Sequence, residues 1–321
     1  MRAVTTPSFG GPEVLQIGDL PVPVPGPGEV LVRTVAAGVN RADLLQRQGH
    51  YPPPKGESEV LGLEASGVIE ALGEGVTGFA AGDEVVALLA GGGYAEYFVA
   101  PAGQVVVPPK GVSLASAAGL IEVAATVVSN LDVARLSAGE TFLVHGGAGG
   151  IGSFAIQYAK ALGCVVATTA GSQAKLDYVR SLGADIALDY HGDWVGELKE
   201  QTRGADVILD IMGAKYLESN VAALKRGGRM VVIGLQGGVK GTLNLGALLS
   251  KNGTISATSL RFRPASEKAA ICARVRDEVW PLLESGAIRL PHETFVAFDD
   301  VRTAHEKLAG GDNIGKIILT L

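Results

Sequence analysis

Glycines 147, 149 and 152 stand at G-x-G-x-x-G spacing within Phe142-Leu143-Val144-His145-Gly146-Gly147-Ala148-Gly149-Gly150-Ile151-Gly152. The chemistry such a run serves is phosphate binding: one glycine permits a tight turn, one lets backbone approach a pyrophosphate, and one lets a helix pack closely on a strand. Spacing alone argues little in a chain with 45 glycines, so the flanks decide. An apolar strand precedes the run, and Ile151, Phe154, Ala155, Tyr158, Ala159 and Leu162 follow at the spacing of a helix facing a sheet. Gly163 stands where a helix C-terminus favours a left-handed residue, and Cys164 to Thr169 resumes as a strand with no room for a hairpin. Strand, helix and strand then form a parallel crossover, whose helix N-terminus offers free amides and a positive dipole end to a diphosphate. The alternative, a glycine-rich turn without a ligand, leaves the three phased glycines unexplained.

Which dinucleotide follows from a missing acid. Sheets that bind NAD place a carboxylate about 20 residues along, on the ribose 2′-hydroxyl. Here that window reads Thr168-Thr169-Ala170-Gly171-Ser172-Gln173-Ala174-Lys175, with no acid. A hydroxyl, an amide and an ammonium suit a 2′-phosphate, so NADPH is the expected cofactor. Ser172 can also cap the helix that follows, and Lys175 has the competing reading of a solvated side chain.

Two polar residues in the N-terminal half could face a substrate. Asn40 opens Asn40-Arg41-Ala42-Asp43 on an expected turn after the strand Val35 to Val39, and Tyr51 follows in Gly49-His50-Tyr51-Pro52. Asn40 could hydrogen-bond a carbonyl or the nicotinamide, and Tyr51 could donate to an oxygen that gains charge during hydride transfer. A turn asparagine and a packing tyrosine are the plainer readings of both. The histidines, at 50, 145, 191, 292 and 305, lie at no ligand spacing with cysteine or carboxylate, so no metal site is expected. His145 reads as a packed residue, and no nucleophile is needed, because hydride transfer depends on positioning.

The elements that must hold these residues fall into two regions, as expected for a chain of 321 residues, 47% of them hydrophobic. Residues 1–120 read as strands between turns, β-rich and barrel-like, with Pro21 to Pro27 extended along an edge. Helical spacing takes over near 114–136, and from about 137 strands and helices alternate. Strand cores lie at Leu143, Val165, Ile186, Ala205 to Leu209, Met230 to Ile233 and Thr254 to Ala257. This is the pattern of an α/β doubly wound parallel sheet over 121–257. Residues 258–321 then give a helix near Glu267 to Glu284, a strand near Thr294 to Phe298, a helix near Val301 to Leu308 and a strand Gly315 to Leu321. This tail is expected to rejoin the first region, leaving the dinucleotide domain as an insertion with the active-site cleft between the two.

Composition excludes other classes. A net charge of −6 without a basic block disfavours nucleic acid. No apolar run of membrane-span length is read, and the N-terminus lacks a signal pattern, so a soluble cytoplasmic protein with no membrane partner is expected. Cys164 and Cys272, far apart in apolar contexts, read as structural thiols in a reducing compartment.

The whole chain resembles the zinc-independent quinone oxidoreductases of the medium-chain dehydrogenase/reductase superfamily, nearest the NADPH-dependent branch that includes the tumour-suppressor-inducible enzyme. The stretches that carry the resemblance are Gly10 to Glu13, Asn40 to Gly49, Leu61 to Gly67, Thr169 to Gln173 and Asn313 to Ile317. It implies a Rossmann sheet inserted in a GroES-like catalytic domain. Where zinc-dependent relatives carry a cysteine and a histidine ligand, the resemblance places Asn40 and Leu63 in this chain, so no zinc is implied, and Glu64 reads as structural. The resemblance further implies that Gly149, Gly150 and Ile151 touch the diphosphate, that Ser172, Lys175 and Tyr190 surround the 2′-phosphate, and that Asn40, Thr126 and Asn313 lie near the nicotinamide. A homodimer with paired edge strands is the family expectation. One departure stands out: close relatives place a bulky aromatic after the glutamate where this chain has Glu122-Val123-Ala124-Ala125. A roomier cleft is expected there.

The expected activity is NADPH-dependent reduction of a quinone. Reduction of an enone or enoyl double bond is the second reading, and a low-turnover NADPH-binding sensor or structural protein is the alternative of another class.

Overall fold

A computed structural model describes Met1–Leu321, which divides into two compact units. The first comprises Met1–Ala125, Leu260–Gly286 and Leu290–Leu321, and the second Thr126–Ser259 with Ala287–Arg289. Sequence patterning does not reveal the return of Ala287–Arg289 to the second unit. The buried Gln157 side chain clips it there, donating to the Arg289 carbonyl at 3.0 Å and accepting the Arg289 N–H at 2.9 Å.

In the first unit a seven-stranded sheet runs, in spatial order, Glu293–Ala297, Lys316–Thr320, Glu29–Val39, Glu64–Leu72, Glu84–Leu88 and Val105–Val106, with Tyr97–Pro101 also paired to Glu29–Val39. All its pairings are antiparallel except that between Glu293–Ala297 and Lys316–Thr320. Val30, Val32, Ala65, Tyr94, Phe98, Ile317 and Leu319 share its buried core. The long strand Glu29–Val39 is central and buried along most of its length, with its register shifted between Leu31 and Val32 and between Thr34 and Ala36. Ile317 pairs with Val39, and Ala37 with Ala65, so the next residues along, Lys316 and Glu64, come alongside Asn40 and Gly38.

Three local expectations change. Asn40 opens no simple turn: it is the N-cap of a helix, Arg41–Arg47, with its backbone N–H bonded to the Asp43 carboxylate at 2.7 Å. The single helix expected near 267–284 is broken into Ala265–Arg274, a π-helical turn Val275–Val279 and Trp280–Glu284. Pro281 accounts for the break, since it supplies no N–H and crowds the carbonyl four residues back. The stretch Leu114–Ala134 does reach the length of a membrane span, with a mean hydropathy of 1.5, contrary to the reading of no such run. With 83% of its apolar window buried inside the protein, the stretch, folded as helices Leu114–Ala117 and Ile121–Ala134, belongs to the core.

The second unit holds a six-stranded, all-parallel sheet in the order Ile186–Asp189, Val165–Ala170, Thr141–Val144, Ala205–Asp210, Leu224–Val232, Thr254–Ala257. The chain starts in the middle, moves out one way, then crosses back to the other side. The strand order therefore reverses between Thr141–Val144 and Ala205–Asp210, where doubly wound sheets hold ligands beyond the strand C-termini.

Candidate functional site

The glycine loop, Ile151, Ser172, Lys175 and Tyr190, expected to hold the phosphates, lie at the C-terminal edge of the parallel sheet, while Asn40 and Asn313 lie in the first unit. Helix Gly150–Ala161 follows the strand Thr141–Val144, capped by Gly149 in extended conformation. The glycines of the loop serve different ends. A Cβ on Gly152 would stand 2.5 Å from the Gly147 Cα, and one on Gly147 would stand 2.9 Å from the Thr168 methyl, so these two permit close packing. A Cβ on Gly149 would meet only the Gly146 carbonyl, at 3.6 Å. Gly149 thus leaves open space over the helix N-terminus, where the first amides lack intrahelical partners, and this cradle fits a diphosphate.

The neighbouring strand ends supply the rest. Strand Val165–Ala170 runs into Gly171 and Ser172, whose hydroxyl accepts from the Lys175 N–H at the start of helix Gln173–Ser181. Tyr190 leaves the adjacent strand with its N–H bonded to the Ala170 carbonyl at 3.2 Å. Its ring lies so close to Gly171 that a Cβ there would stand 2.8 Å from the ring Cε1 and closer still to the Cζ. Ser172, Lys175 and Tyr190 are therefore brought together at one corner, and no carboxylate stands between Thr168 and Lys175 to repel a phosphate. The nearby Asp189 is engaged by the N–H and Nδ1 of His191, both at 2.9 Å. Thr126, buried near the start of this unit, accepts the Asn130 amide at its carbonyl at 2.7 Å.

His145 is a core residue. It is fully buried, with Nδ1 3.1 Å from the Thr169 hydroxyl and Nε2 2.7 Å from Asn220 Oδ1, and edge-on to Trp194 and Tyr216. Burial pulls its imidazole down to about 4, so it stays neutral at ordinary pH.

In the first unit, Asn40 is the meeting point of a buried polar network. Glu64 is fully buried, and the Lys316 ammonium donates to its Oε1 at 2.6 Å. Lys316 donates also to Asn40 Oδ1 at 2.5 Å, Asn40 Nδ2 donates to Glu64 Oε1 at 3.0 Å, and the Glu122 N–H closes on Glu64 Oε2 at 3.0 Å. Glycines make room: a Cβ on Gly38 would stand 2.6 Å from the Glu64 carboxyl carbon, and one on Gly119 2.8 Å from Lys316 Cγ. An ion pair this deep survives only with its hydrogen bonds satisfied. Asn313, three residues before Lys316, bonds the Gly315 carbonyl with Nδ2 at 3.1 Å.

Below Asn40, helix Arg41–Arg47 is pinned through Asp43, which accepts from the Asn40 and Gly62 amides and the Tyr94 hydroxyl. Burial pushes the Asp43 carboxyl up to about 6 despite those bonds. Tyr51 rests on a separate brace. Arg261 donates to the carbonyls of Tyr51 and Ala90 and to the Gln46 side chain, stacks over the Tyr51 ring, and brings Phe262 edge-on to it at 5.5 Å.

Glu64 reads as structural from sequence, and Lys316 and Arg261 carry no role there. Besides its place in the stretch Asn313 to Ile317, Lys316 is signalled as a charge opening the apolar strand Lys316–Thr320, every position of which except Thr320 is buried. No group of three or more His, Cys, Asp or Glu side chains is placed to hold a metal ion.

Comparison with known proteins agrees with this architecture. Residues 26–110 match the alcohol dehydrogenase GroES-like domain and residues 150–273 the zinc-binding dehydrogenase family. A quinone oxidoreductase of Pseudomonas aeruginosa is 34% identical over 318 residues, 97% of each chain. An Escherichia coli quinone oxidoreductase solved in complex with NADPH superposes with a TM-score of 0.89 at 30% identity over the full length of both chains. A mycobacterial protein, also solved with NADPH, does so with a TM-score of 0.91 at 31% identity over the full length of both. The chain belongs to the quinone oxidoreductases of the medium-chain dehydrogenase/reductase superfamily.

Proposed function

We propose that this chain is an NADPH:quinone oxidoreductase that works without zinc. The grouping of Ser172, Lys175 and Tyr190 around Gly171, with no acid from Thr168 to Lys175, is the observation that carries the cofactor. In this reading the amides of Gly149, Gly150 and Ile151 hold the diphosphate on the open side of Gly149, and Gly147 and Gly152 keep the loop flat. Ser172, Lys175 and Tyr190 hold the 2′-phosphate. Thr126 and Asn313 belong to the nicotinamide end. NADPH, when bound, supplies a hydride from its dihydronicotinamide.

Asn40 holds the acceptor's carbonyl oxygen through Nδ2, and Tyr51 lines the acceptor site. NADPH, quinone and one proton become NADP⁺ and hydroquinone, with the proton taken from solvent or a tyrosine phenol. An amide donor on the oxygen that gains charge lowers the barrier without any metal. The catalytic domain in this proposal is residues 1–120 with 258–321, and 121–257 is the dinucleotide domain. The chain acts in the cytoplasm as a homodimer.

The test is consumption of NADPH and NADH with one small and one bulky quinone, beside a simple enone. Faster turnover of NADPH with quinones is expected. Preference for the enone would make the chain a double-bond reductase, which the same Asn40 donor would serve. Tight NADPH binding with no turnover of any acceptor would make it a binding protein.

A further inference from the structure

Asn40 has an amide that could present either its oxygen or its nitrogen to an acceptor, and only the nitrogen helps an oxygen that gains negative charge. Its surroundings settle the orientation. Lys316 has donors alone and lies 2.5 Å from Oδ1. Glu64, which accepts, lies 3.0 Å from Nδ2. Rotating the amide by half a turn would set Nδ2 against an ammonium and Oδ1 against a carboxylate. The second Nδ2 hydrogen has only the Gly38 carbonyl, at 3.5 Å, too long for a firm bond. That hydrogen is the one free to reach a ligand.

Building on the reading that the acceptor binds at Asn40, we propose that Lys316 is a positioning residue for the reaction. Its ammonium, held by Glu64, locks the Asn40 amide as a donor and polarises it from behind. The chain of bonds runs from ammonium to amide oxygen and from amide nitrogen to the acceptor oxygen, and hydrogen bonds linked in this way strengthen one another at low dielectric. The ion pair is buried, 4% exposed on the lysine side chain and 0% on the glutamate, so solvent does not screen it. Gly38 and Gly119 are shaped to admit it, which marks the pair as built into the fold. Glu64 in turn receives the Glu122 N–H, and this ties the network to the start of helix Ile121–Ala134.

The test compares Lys316→Met, the charge-neutral double variant E64Q/K316M, and Asn40→Ala in NADPH consumption with quinones of graded reduction potential. Lys316→Met leaves an unpaired buried carboxylate, so its unfolding midpoint is followed as well. The double variant removes both buried charges at similar volume. The amide oxygen that E64Q leaves can still accept the Glu122 N–H while its nitrogen turns to the Asn40 side, so the lock on the Asn40 amide is released without leaving a buried charge unpaired. We expect the double variant to match wild type in unfolding midpoint and in NADPH affinity by fluorescence titration. Its kcat should fall roughly 10-fold to 100-fold, the usual cost of losing or misplacing one polarising donor, and fall most with the weakest acceptors. A double variant with wild-type kcat would overturn the proposal, leaving Lys316 as a counter-ion for Glu64 alone. An equal loss across all acceptors would overturn the polarising role likewise. If Asn40→Ala itself turned over quinones at the wild-type rate, the reading that places the acceptor at Asn40 would fall, whereas an impaired Asn40→Ala beside an intact double variant overturns only the role of Lys316.

Discussion

Lys175 tests the cofactor at a single charge. If its ammonium meets the 2′-phosphate, Lys175→Ala weakens NADPH by roughly 1.5–3 kcal/mol, the worth of a hydrogen bond to a charged group, and leaves NADH nearly unchanged. Equal losses for both, measured by titration, would remove the 2′-phosphate from this corner. Two other buried groups respond to pH with opposite signs. His145 is held neutral down to about 4, against an ordinary value of 6.5, so the stability it confers is present above 6.5 and lost as pH falls toward 4. Asp43, raised from 3.8 to about 6, acts the other way: its contribution is full below 3.8 and lost as pH rises through 6. In urea unfolding at pH 7.5 and 4.5, His145→Gln should lose roughly 2–3 kcal/mol less on acidification than wild type. Asp43→Asn should lose roughly 2 kcal/mol more, because it lacks the compensating proton uptake. Identical acid losses in all three proteins would show that neither group changes protonation on unfolding.

At the level of elements, the glycine loop separates packing from binding. Gly149→Ala keeps an extended backbone that alanine adopts freely and meets nothing closer than 3.6 Å, so unfolding should move by less than about 0.5 kcal/mol. Its methyl would stand in the open space over the helix N-terminus, and NADPH should bind about 10-fold more weakly, one hydrogen bond's worth. Gly152→Ala drives a methyl into backbone and should cost roughly 1–3 kcal/mol of stability before binding is considered. Comparable destabilisation by both would make Gly149 a packing glycine and remove the diphosphate argument. This loop was legible in sequence because its chemistry is local: strand, glycines and helix follow one another within a dozen residues. The Asn40 centre was legible only in part. Asn40 lies 24 residues from Glu64 and 276 from Lys316, and strand register alone brings them together. Periodicity finds the strands Glu29–Val39, Glu64–Leu72 and Lys316–Thr320, but it does not say that Lys316 comes alongside Asn40. The helix Arg41–Arg47 was hidden for another reason: its seven residues are too few for a period to stand out, and its Asn40–Asp43 cap reads equally well as a turn.

For the whole molecule, the open edge of the second unit's sheet argues for a partner copy. Thr254–Ala257 pairs on one side only, with Leu224–Val232, and leaves its other row of N–H and C=O groups free, which sheets of this kind rarely leave uncovered. Beside it, helix Leu245–Ser250 exposes Leu245 and Leu249 one turn apart, the latter 77% exposed, and Val239 is exposed in the preceding loop. Apolar side chains flanking an unpaired strand suit a two-fold contact, in which antiparallel edges join two sheets into one and each patch covers its own copy. Each substitution in such a contact acts twice. Leu249→Asp should therefore convert a dimer to monomer in sedimentation at micromolar concentration while leaving NADPH titration unchanged, since residue 249 lies apart from the glycine loop in sequence and on the opposite side of the strand order from Ser172 and Tyr190. Wild type sedimenting as a monomer, or a variant that stays dimeric, would move the interface elsewhere and leave this edge unexplained.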